Sequence, residues 1–338
     1  MFPQRHVSGD GYFDPFFQDH CDSSGTSTFF FSPYCMNTYI GAIQQSPIAD
    51  TTKAIYLRNL MTVARLTNKP DYSFIFQPNK TYRAMLDHYP NFKTRRTVII
   101  AIKSIFKHLP DLAHEHKKVV DRWHELYLGL HSKMMDDLMQ GDLSEREREN
   151  WVHWRDVLAM ERHLRDTEYA SFSHVLLAMY TLIEPSRQDY NSLRLLNAHP
   201  PDITSGNYMV IHLNGEPVDM VLNEYKTAKS YGRYTRTLPR ELSEIIFESL
   251  RQSPRHYLFA RMDGSAYDKK AFVRRVNDEL ARLFGRRFTI GMLRHAFISE
   301  GIDFNEKRPG ELFDIARNMH HSISQQQQYR RMPGQSVK

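Results

Sequence analysis

The hydrophobic periodicity of the chain changes in its second half, and this change most limits the folds available to it. Up to residue 182 apolar residues recur at helical spacing, whereas YMVIHL, residues 208–213, alternates with the period of a β-strand. Asn214-Gly215 then predicts a tight turn, with residues 218–222 as the return strand and residues 231–239 as a third. The sequence therefore predicts a mainly α protein with a small antiparallel β-sheet, an α+β fold.

Helices are predicted before and after this sheet in the sequence. Ser144 and Glu147 have the form of a capping box, which predicts a helix that continues through Trp151 and Trp154 to about His163. The other helices are predicted from apolar residues at intervals of three and four. They cover residues 55–66, 95–109, 121–140, 171–182, 240–250, 269–283, 289–300 and 306–319.

The composition along the chain predicts an arm and two domains. Residues 1–48 are rich in Ser, Gly, Pro, Asp and aromatic residues without clear periodicity, which predicts an irregular N-terminal arm. Residues 49–141 form a helical segment, and the polar break that follows Gln140 separates it from a second domain at residues 145–338. A length of 338 residues is compatible with two ordinary domains.

The net charge of +6 is unevenly distributed. Residues 221–290 carry fifteen Lys and Arg against eight Asp and Glu, whereas residues 1–50 carry one Arg against five Asp. A concentrated basic segment favours a polyanionic partner, nucleic acid first, although a solvated basic surface produces the same pattern.

The sequence gives no support for a membrane protein or a secreted protein. No segment approaches the roughly 18 apolar residues that cross a bilayer, and the first residues lack the pattern of a secretory signal. We therefore expect no membrane association and a nuclear or cytoplasmic location. Cys21 and Cys35 fit neither a disulfide framework nor a metal site, which favours a reducing compartment.

Metal and nucleotide cofactors are not expected either. HELYLGLH, residues 124–131, resembles a zinc-protease helix, but Leu128 occupies the position of the required second histidine. The chain has neither a Walker loop nor a GxGxxG segment. A metal bound by His295, His320 and His321 is the remaining alternative, and it would make the protein a metallonuclease.

Four segments of the second half contain candidates for chemistry. They are EPSRQDY with Arg187, YKTAKSYGRYTRTLP with Lys226 and Lys229, TIGMLRHAF with Arg294 and His295, and NMHHSISQQQQY with His320, His321 and Tyr329. Taken one at a time, each fits an ordinary surface, ion-pair or packing residue. Their order along the chain is more informative.

This order resembles the catalytic half of the tyrosine recombinases, or phage-type integrases. That family has an Arg, a Lys in a β-hairpin, an H-x-L-R-H box, and a last box in which a Tyr follows a His by nine residues. Here MLRHAFISE matches the third element from Leu293 onward, and MHHSISQQQQY matches the last in its length, its His320 and its Tyr329. ENWVHW at residues 149–154 and the R-x-D-Y form at Arg187 resemble eukaryotic mobile-element or large-virus members.

The resemblance implies a site-specific recombinase that cuts and rejoins DNA through a covalent 3′-phosphotyrosyl intermediate, without ATP or metal. Tyr329 would be the nucleophile, and Arg187 and Arg294 would bind the phosphate with paired, permanently charged donors. Lys226 would protonate the leaving oxygen, with Lys229 as the alternative. His320 would contact the phosphate or manage the tyrosine proton, with His295 and His321 as accessory candidates.

One position departs from the family pattern. Gly291 lies three residues before Arg294, where the family has a His or sometimes a Lys. Glycine supplies neither a donor nor a base, so another group would fill the role or the protein would be a weakened, DNA-binding relative. A type IB topoisomerase, which shares the tyrosine chemistry, is a further alternative.

The resemblance also implies partners for both domains. Residues 49–141 would correspond to the helical core-binding domain of the family, and residues 145–338 to the catalytic domain. Both would contact double-stranded DNA, and the family assembles as a homotetramer on two DNA sites. The residues expected to contact DNA phosphates are Lys93, Arg95, Arg96, Lys103 and Arg233.

Overall fold

The chain folds into two units that divide between Leu130 and His131, within helix α6 (Lys117–Gln140). The computed structural model describes residues 36–200, 205–212 and 214–332. Most of the predicted arm, including Cys21 and Cys35, lies outside these residues. Its last part is not irregular, because α1 (Met36–Gln44) forms there and buries Tyr39 and Ile43.

The described part of the first unit is helical, as its periodicity predicted. α4 (Phe92–His108) begins where the side chain of Asn91 accepts a hydrogen bond from the backbone of Lys93. One face of α4 buries Val98, Ile102 and Ile105, and each such side chain stabilises the unit by about 1.5–3 kcal/mol. The helices are α1, α2 (Asp50–Thr67), a 3₁₀ turn (Ser73–Phe76), α3 (Pro78–His88), α4 (Phe92–His108), α5 (Pro110–Glu115) and the first part of α6 (Lys117–Gln140).

The second unit combines helices with the sheet. Its helices are α7 (Glu145–Asn150), α8 (Trp154–Thr167), α9 (Phe172–Thr181), α10 (Ala228–Tyr231), α11 (Arg240–Gln252), α12 (Lys269–Phe284), α13 (Ile290–Ala296), α14 (Pro309–Asn318) and α15 (Ile323–Tyr329). α9, which is buried on all sides, lies in the centre of the core, and Val175, Leu176 and Met179 are fully buried.

The capping box at Ser144 and Glu147 is confirmed, but the single helix predicted beyond it is wrong. α7 ends at Asn150, and α8 begins only at Trp154. The carboxylate of Glu300 accepts hydrogen bonds from Trp151 Nε1 at 3.0 Å and from the backbone of Trp154 at 2.8 Å. This distant carboxylate satisfies donors in the break and so offsets the helical hydrogen bonds that are lost there.

The sheet has four strands and is mixed, whereas the sequence predicted three antiparallel strands. Its order is β1 (Arg194–Leu196), β2 (Tyr208–Val210), β3 (Asp219–Leu222) and β4 (Tyr234–Thr237). β2–β3 and β3–β4 are antiparallel, and β1 runs parallel to β2. β1 was missed because three residues are too few for a periodicity, and its pairing with β2 is decided by tertiary contacts.

A π-helical turn (Phe297–Gly301) follows α13 and replaces the end of the predicted helix 289–300. Gly301 packs against Trp154 so closely that an added Cβ would lie 2.9 Å from Nε1 of that indole. Within the described residues, no helix is long and apolar enough to cross a membrane.

Candidate active site

Arg187 lies in the connection between α9 and β1, which buried polar contacts hold in place. The hydroxyl of Tyr180 donates to the backbone oxygen of Arg187 at 2.8 Å, and Ser186 Oγ donates to Asp189 at 2.9 Å. The guanidinium of Arg187 contacts two residues that lie near the end of the sequence, His320 and Tyr329. Nη1 donates to the backbone oxygen of His320 at 3.3 Å, and Nη2 donates to the hydroxyl of Tyr329 at 3.3 Å.

Arg294 is the second arginine of the site, and only 3% of it is exposed. α13 begins at the Thr289 cap, and the side chain of Arg294 reaches the backbone oxygens of Pro185 and Met319. Burial and then the charge of Arg187 lower the pKa of Arg294 to about 10, so it stays charged at neutral pH. Its guanidinium carbon lies 5.9 Å from the centre of the Tyr329 ring.

Tyr329 is the last residue of α15, a helix capped by the side chain of Ser322. Its hydroxyl lies beside a concentration of positive charge. Burial opposes ionisation of the phenol, but the hydrogen bond and charge of Arg187 outweigh it. The charges of Arg294 and Lys226 act in the same direction, so the pKa of Tyr329 lies below its usual value. A lowered pKa makes a phenol a better nucleophile near neutral pH.

His321 has the ring that contacts both Arg294 and Tyr329. Arg294 Nη2 lies 3.3 Å from His321 Nδ1, and the His321 and Tyr329 ring centres are 5.6 Å apart. Since a guanidinium only donates, Nδ1 must accept, and the neutral ring carries its proton on Nε2. Burial lowers the pKa of His321 to about 3, with Arg294 and Arg187 adding to the effect. His321 Nε2 is buried without a hydrogen-bond partner in the described structure.

The backbone carbonyl of His320, and not its ring, contacts Arg187. Its ring lies between Tyr225 and Tyr234, with ring centres 4.4 and 4.6 Å away. Its backbone has a φ of +57°, and its carbonyl accepts hydrogen bonds from Arg187 and from Thr227 Oγ1 at 2.9 Å. Burial followed by the charges of Arg294 and Arg187 lowers the pKa of His320 to about 4.

His295 fixes the backbone that carries Tyr329. Its Nδ1 donates to the backbone oxygen of Tyr329 at 2.7 Å, and the two rings meet at 5.0 Å. Burial first, and then the charge of Arg331, lower the pKa of His295 and favour its neutral form. The backbone N–H of Arg331 donates to Ser299 Oγ at 2.7 Å, which anchors the residues after α15.

The two candidate lysines differ in their relation to Tyr329. Lys226 is exposed in the connection between β3 and β4, and its charge lowers the pKa of Tyr329. Lys229 is exposed in α10. Thr227, which sequence reasoning missed, ties this connection to His320. The only signal for it in the sequence is its place after Lys226.

Gly291 leaves the position three residues before Arg294 without a side chain. It is exposed in the first turn of α13, and an added Cβ would lie 3.7 Å from Thr289 Oγ1, an ordinary contact. A side chain at this position is therefore sterically possible.

The basic residues predicted to contact DNA take part in contacts within their own units. Arg95 donates to the backbone oxygens of Tyr89 and Pro90, and Arg96 donates to the Tyr127 hydroxyl at 3.2 Å. The remaining three are Lys93, exposed and near the Phe92 ring, Lys103, 2.7 Å from His124 Nδ1, and Arg233, which donates to the Tyr208 hydroxyl at 2.6 Å.

Comparison with known proteins gives similarity to solved structures. No protein-family model and no curated protein matches the chain. Among solved structures, the crystal structure of XerA recombinase is similar to it with a TM-score of 0.38 and 13% sequence identity. The match covers 88% of this chain and 93% of the XerA chain.

Proposed function

We propose that the chain is a tyrosine recombinase that cuts and rejoins double-stranded DNA. The hydrogen bond from Arg187 to Tyr329, beside the buried Arg294, is the observation that carries the proposal. Two arginines next to a phenol of lowered pKa match the needs of a phosphodiester transesterification, in which negative charge grows on the phosphate oxygens.

In the proposed reaction, Tyr329 Oη attacks phosphorus and the bond from phosphorus to the 5′-oxygen breaks. The tyrosine loses its proton and the 5′-oxygen gains one, so the step consumes no other reactant. Lys226 delivers the proton to the 5′-oxygen, and Arg187 and Arg294 bind the nonbridging oxygens. Rejoining is the reverse step, with a 5′-hydroxyl of the same or another strand as the attacking group.

The histidines divide the remaining tasks. His321 Nε2–H, a buried donor without a partner on a ring that also contacts Arg294 and Tyr329, donates to a phosphate oxygen. His320 Nε2 is also buried without a partner, but its ring packs against Tyr225 and Tyr234 instead. His320 holds Arg187 and Thr227 through its carbonyl, and its ring is accessory to the reaction. This division assigns the phosphate contact to His321, whereas the spacing in the sequence favoured His320.

The proposal extends to the assembly of the protein, its DNA contacts and its origin. Strand exchange between two duplexes requires cleavage of four strands, so we extend the proposal to a homotetramer on two DNA sites. Basic residues of both units, with Lys93 and Arg233 the exposed members, would contact phosphates. The ENWVHW and R-x-D-Y forms support an origin in a eukaryotic mobile element or large virus, with action in the nucleus or cytoplasm.

Covalent trapping tests the proposal directly. The probe is a library of duplexes with random sequence and one nick each, because a nick lets the short 5′ product diffuse away and prevents rejoining. The wild-type chain should give a protein–DNA adduct that survives denaturing electrophoresis, and Tyr329→Phe should give none. An absent wild-type adduct, or an equal adduct from Tyr329→Phe, would contradict the proposal.

A second candidate function is DNA binding without cleavage, which Gly291 favours because it removes a possible acid or base. Gel-shift titrations with the same library distinguish the two. A complex that forms without an adduct at any pH would favour this candidate. Relaxation of a plasmid without a specific site would instead indicate the topoisomerase alternative.

A further inference from the structure

A cavity of about 470 Å³ lies beside His320, whose Nε2 is buried without a hydrogen-bond partner in the described structure. Its wall is formed by the segment around β4 and by the last turn of α14. The volume falls within the range of about 300–1,000 Å³ that is typical of small-molecule sites. The cavity therefore suits one small unit and is too small for a duplex.

The lining of the cavity is positively charged. Arg233, Arg236 and Arg317 line it, together with the single carboxylate of Asp314. Arg236 is already paired with Glu184. Arg317 is exposed and makes no ion pair within the described part of the chain. One positive charge remains after Asp314 and Glu184 are counted, which favours an anion such as a phosphate.

Aromatic side chains line the same cavity as these guanidinium groups. Tyr225 and Tyr234 already pack against His320, but Tyr231 is 44% exposed and also lines the cavity. An exposed tyrosine ring beside an arginine is a typical surface for stacking an unpaired base. A base must leave the duplex stack before it can enter such a cavity.

We infer that this cavity binds a single nucleotide unit, with its phosphate between Arg233 and Arg317 and its base against Tyr231. The inference rests on the proposed function for its biological source, which is a nucleotide of the DNA substrate that lies outside the duplex near the cleavage point. A free nucleotide has the same chemistry and is the other possible source.

Calorimetric titration with thymidine 5′-monophosphate tests the chemistry of the cavity. The Tyr329→Phe protein is used, so that the result does not depend on cleavage. We expect thymidine 5′-monophosphate to bind more tightly than thymidine or inorganic phosphate. Arg317→Gln and Tyr231→Ala should each weaken binding at least about fivefold, since the first removes one of the two arginines at the phosphate and the second removes the ring against the base.

Matched controls come from the same unit. Arg155→Gln removes an exposed arginine outside the cavity, and Tyr169→Ala removes a tyrosine that is 43% exposed. Both should bind thymidine 5′-monophosphate like the parent protein.

Cross-linking distinguishes the two sources. One duplex carries 5-iododeoxyuridine in a one-nucleotide unpaired flap, and a second carries it in a base pair. A cross-link at Tyr231 from the flap alone indicates a nucleotide of DNA, whereas binding of the monophosphate without this cross-link indicates a free nucleotide. If neither probe reaches the cavity, or if the cavity variants behave like their controls, the inference is wrong. Covalent trapping with wild-type protein, scored separately, shows whether the recombinase proposal fails by itself.

Discussion

Nη2 of Arg187 donates a hydrogen bond to the hydroxyl of Tyr329 at 3.3 Å, although the two residues are 142 positions apart in the sequence. The contact links the connection after α9 to the end of α15. It brings a permanent positive charge to the one phenol that the proposed reaction needs as a nucleophile. The predictions below follow from this contact and from the groups that surround it.

Arg187→Gln should raise the pKa of Tyr329. The charge of Arg187 favours the phenolate, so its removal leaves burial with less opposition and shifts ionisation to higher pH. The measurement is a pH titration of tyrosinate absorbance, taken as the difference between each protein and its Tyr329→Phe counterpart. Arg155→Gln is the control for loss of an exposed charge. A shift to lower pH in Arg187→Gln would contradict the prediction.

Lys226→Ala should slow formation of the covalent adduct more than Lys229→Ala does. Lys226 is the lysine whose charge acts on Tyr329, and loss of a general acid costs about 10²–10⁴-fold in rate. Rates are compared on nicked duplex at saturating DNA. A leaving 5′-sulfur needs no proton, so a substrate with sulfur in that position should restore the rate of Lys226→Ala. Failure of this rescue would exclude Lys226 as the acid.

His295→Phe should reduce adduct formation by about 10²-fold, because Tyr329 loses the hydrogen bond that fixes its backbone. His295→Asn keeps a donor near the position of Nδ1 and should retain most of the activity. DNA affinity, measured by gel shift, should be the same for both variants. Equal activity of the two would show that the hydrogen bond does not position the tyrosine.

The stability of the second unit should fall as the pH drops from about 6.5. Burial lowers the pKa of His321 to about 3, whereas an unfolded histidine titrates near 6.5. Between these values the unfolded state holds a proton that the folded state lacks, so acid favours unfolding. The contribution is complete above pH 6.5 and declines by up to about 1.4 kcal/mol per pH unit below it.

Urea unfolding at several pH values measures this slope. His321→Asn should reduce it, because asparagine can still accept from Arg294 but does not titrate. His163→Asn, at an exposed histidine of α8, is the control and should leave the slope unchanged. The same slope in His321→Asn and in the wild type would count against a buried neutral His321.

Two glycines ten residues apart should respond oppositely to alanine. Gly301→Ala places a Cβ 2.9 Å from Trp154 and Phe297, and such overpacking costs about 1–3 kcal/mol. Gly291→Ala meets an ordinary contact at 3.7 Å within a helix and should stabilise by about 0.5–1 kcal/mol. Urea unfolding measures both, and equal effects would contradict the packing described for Gly301.

Gly291→His should also increase adduct formation if the missing group limits the reaction. Gly291→Ala supplies the matched control, since it adds the Cβ without the imidazole. A gain in rate that is the same for both variants would mean that helix stability, and not proton transfer, was the limit.

Features set by local chemistry could be read from the sequence. The reciprocal hydrogen bonds of Ser144 and Glu147 and the cap at Ser322 involve residues three positions apart, so the sequence contains all that decides them. The helical face of α4 follows from the spacing of its apolar residues in the same way. The mainly α fold with a small sheet is confirmed because it depends on such periodicities.

Features that depend on residues distant in the sequence could not be read from the sequence. The break before Trp154 depends on Glu300, which lies about 150 residues away, and β1 depends on its pairing with β2. Spacing in the sequence predicts His320 as the partner of Tyr329, and this stays a prediction. The contacts of the two rings could not be read from spacing: His320 has a left-handed backbone and a ring between Tyr225 and Tyr234, and His321 lies beside Arg294. The sequence by itself determined which residue types are present and how each helix begins. Only the tertiary structure decided which of them meet, because burial and charge act through space and not along the chain.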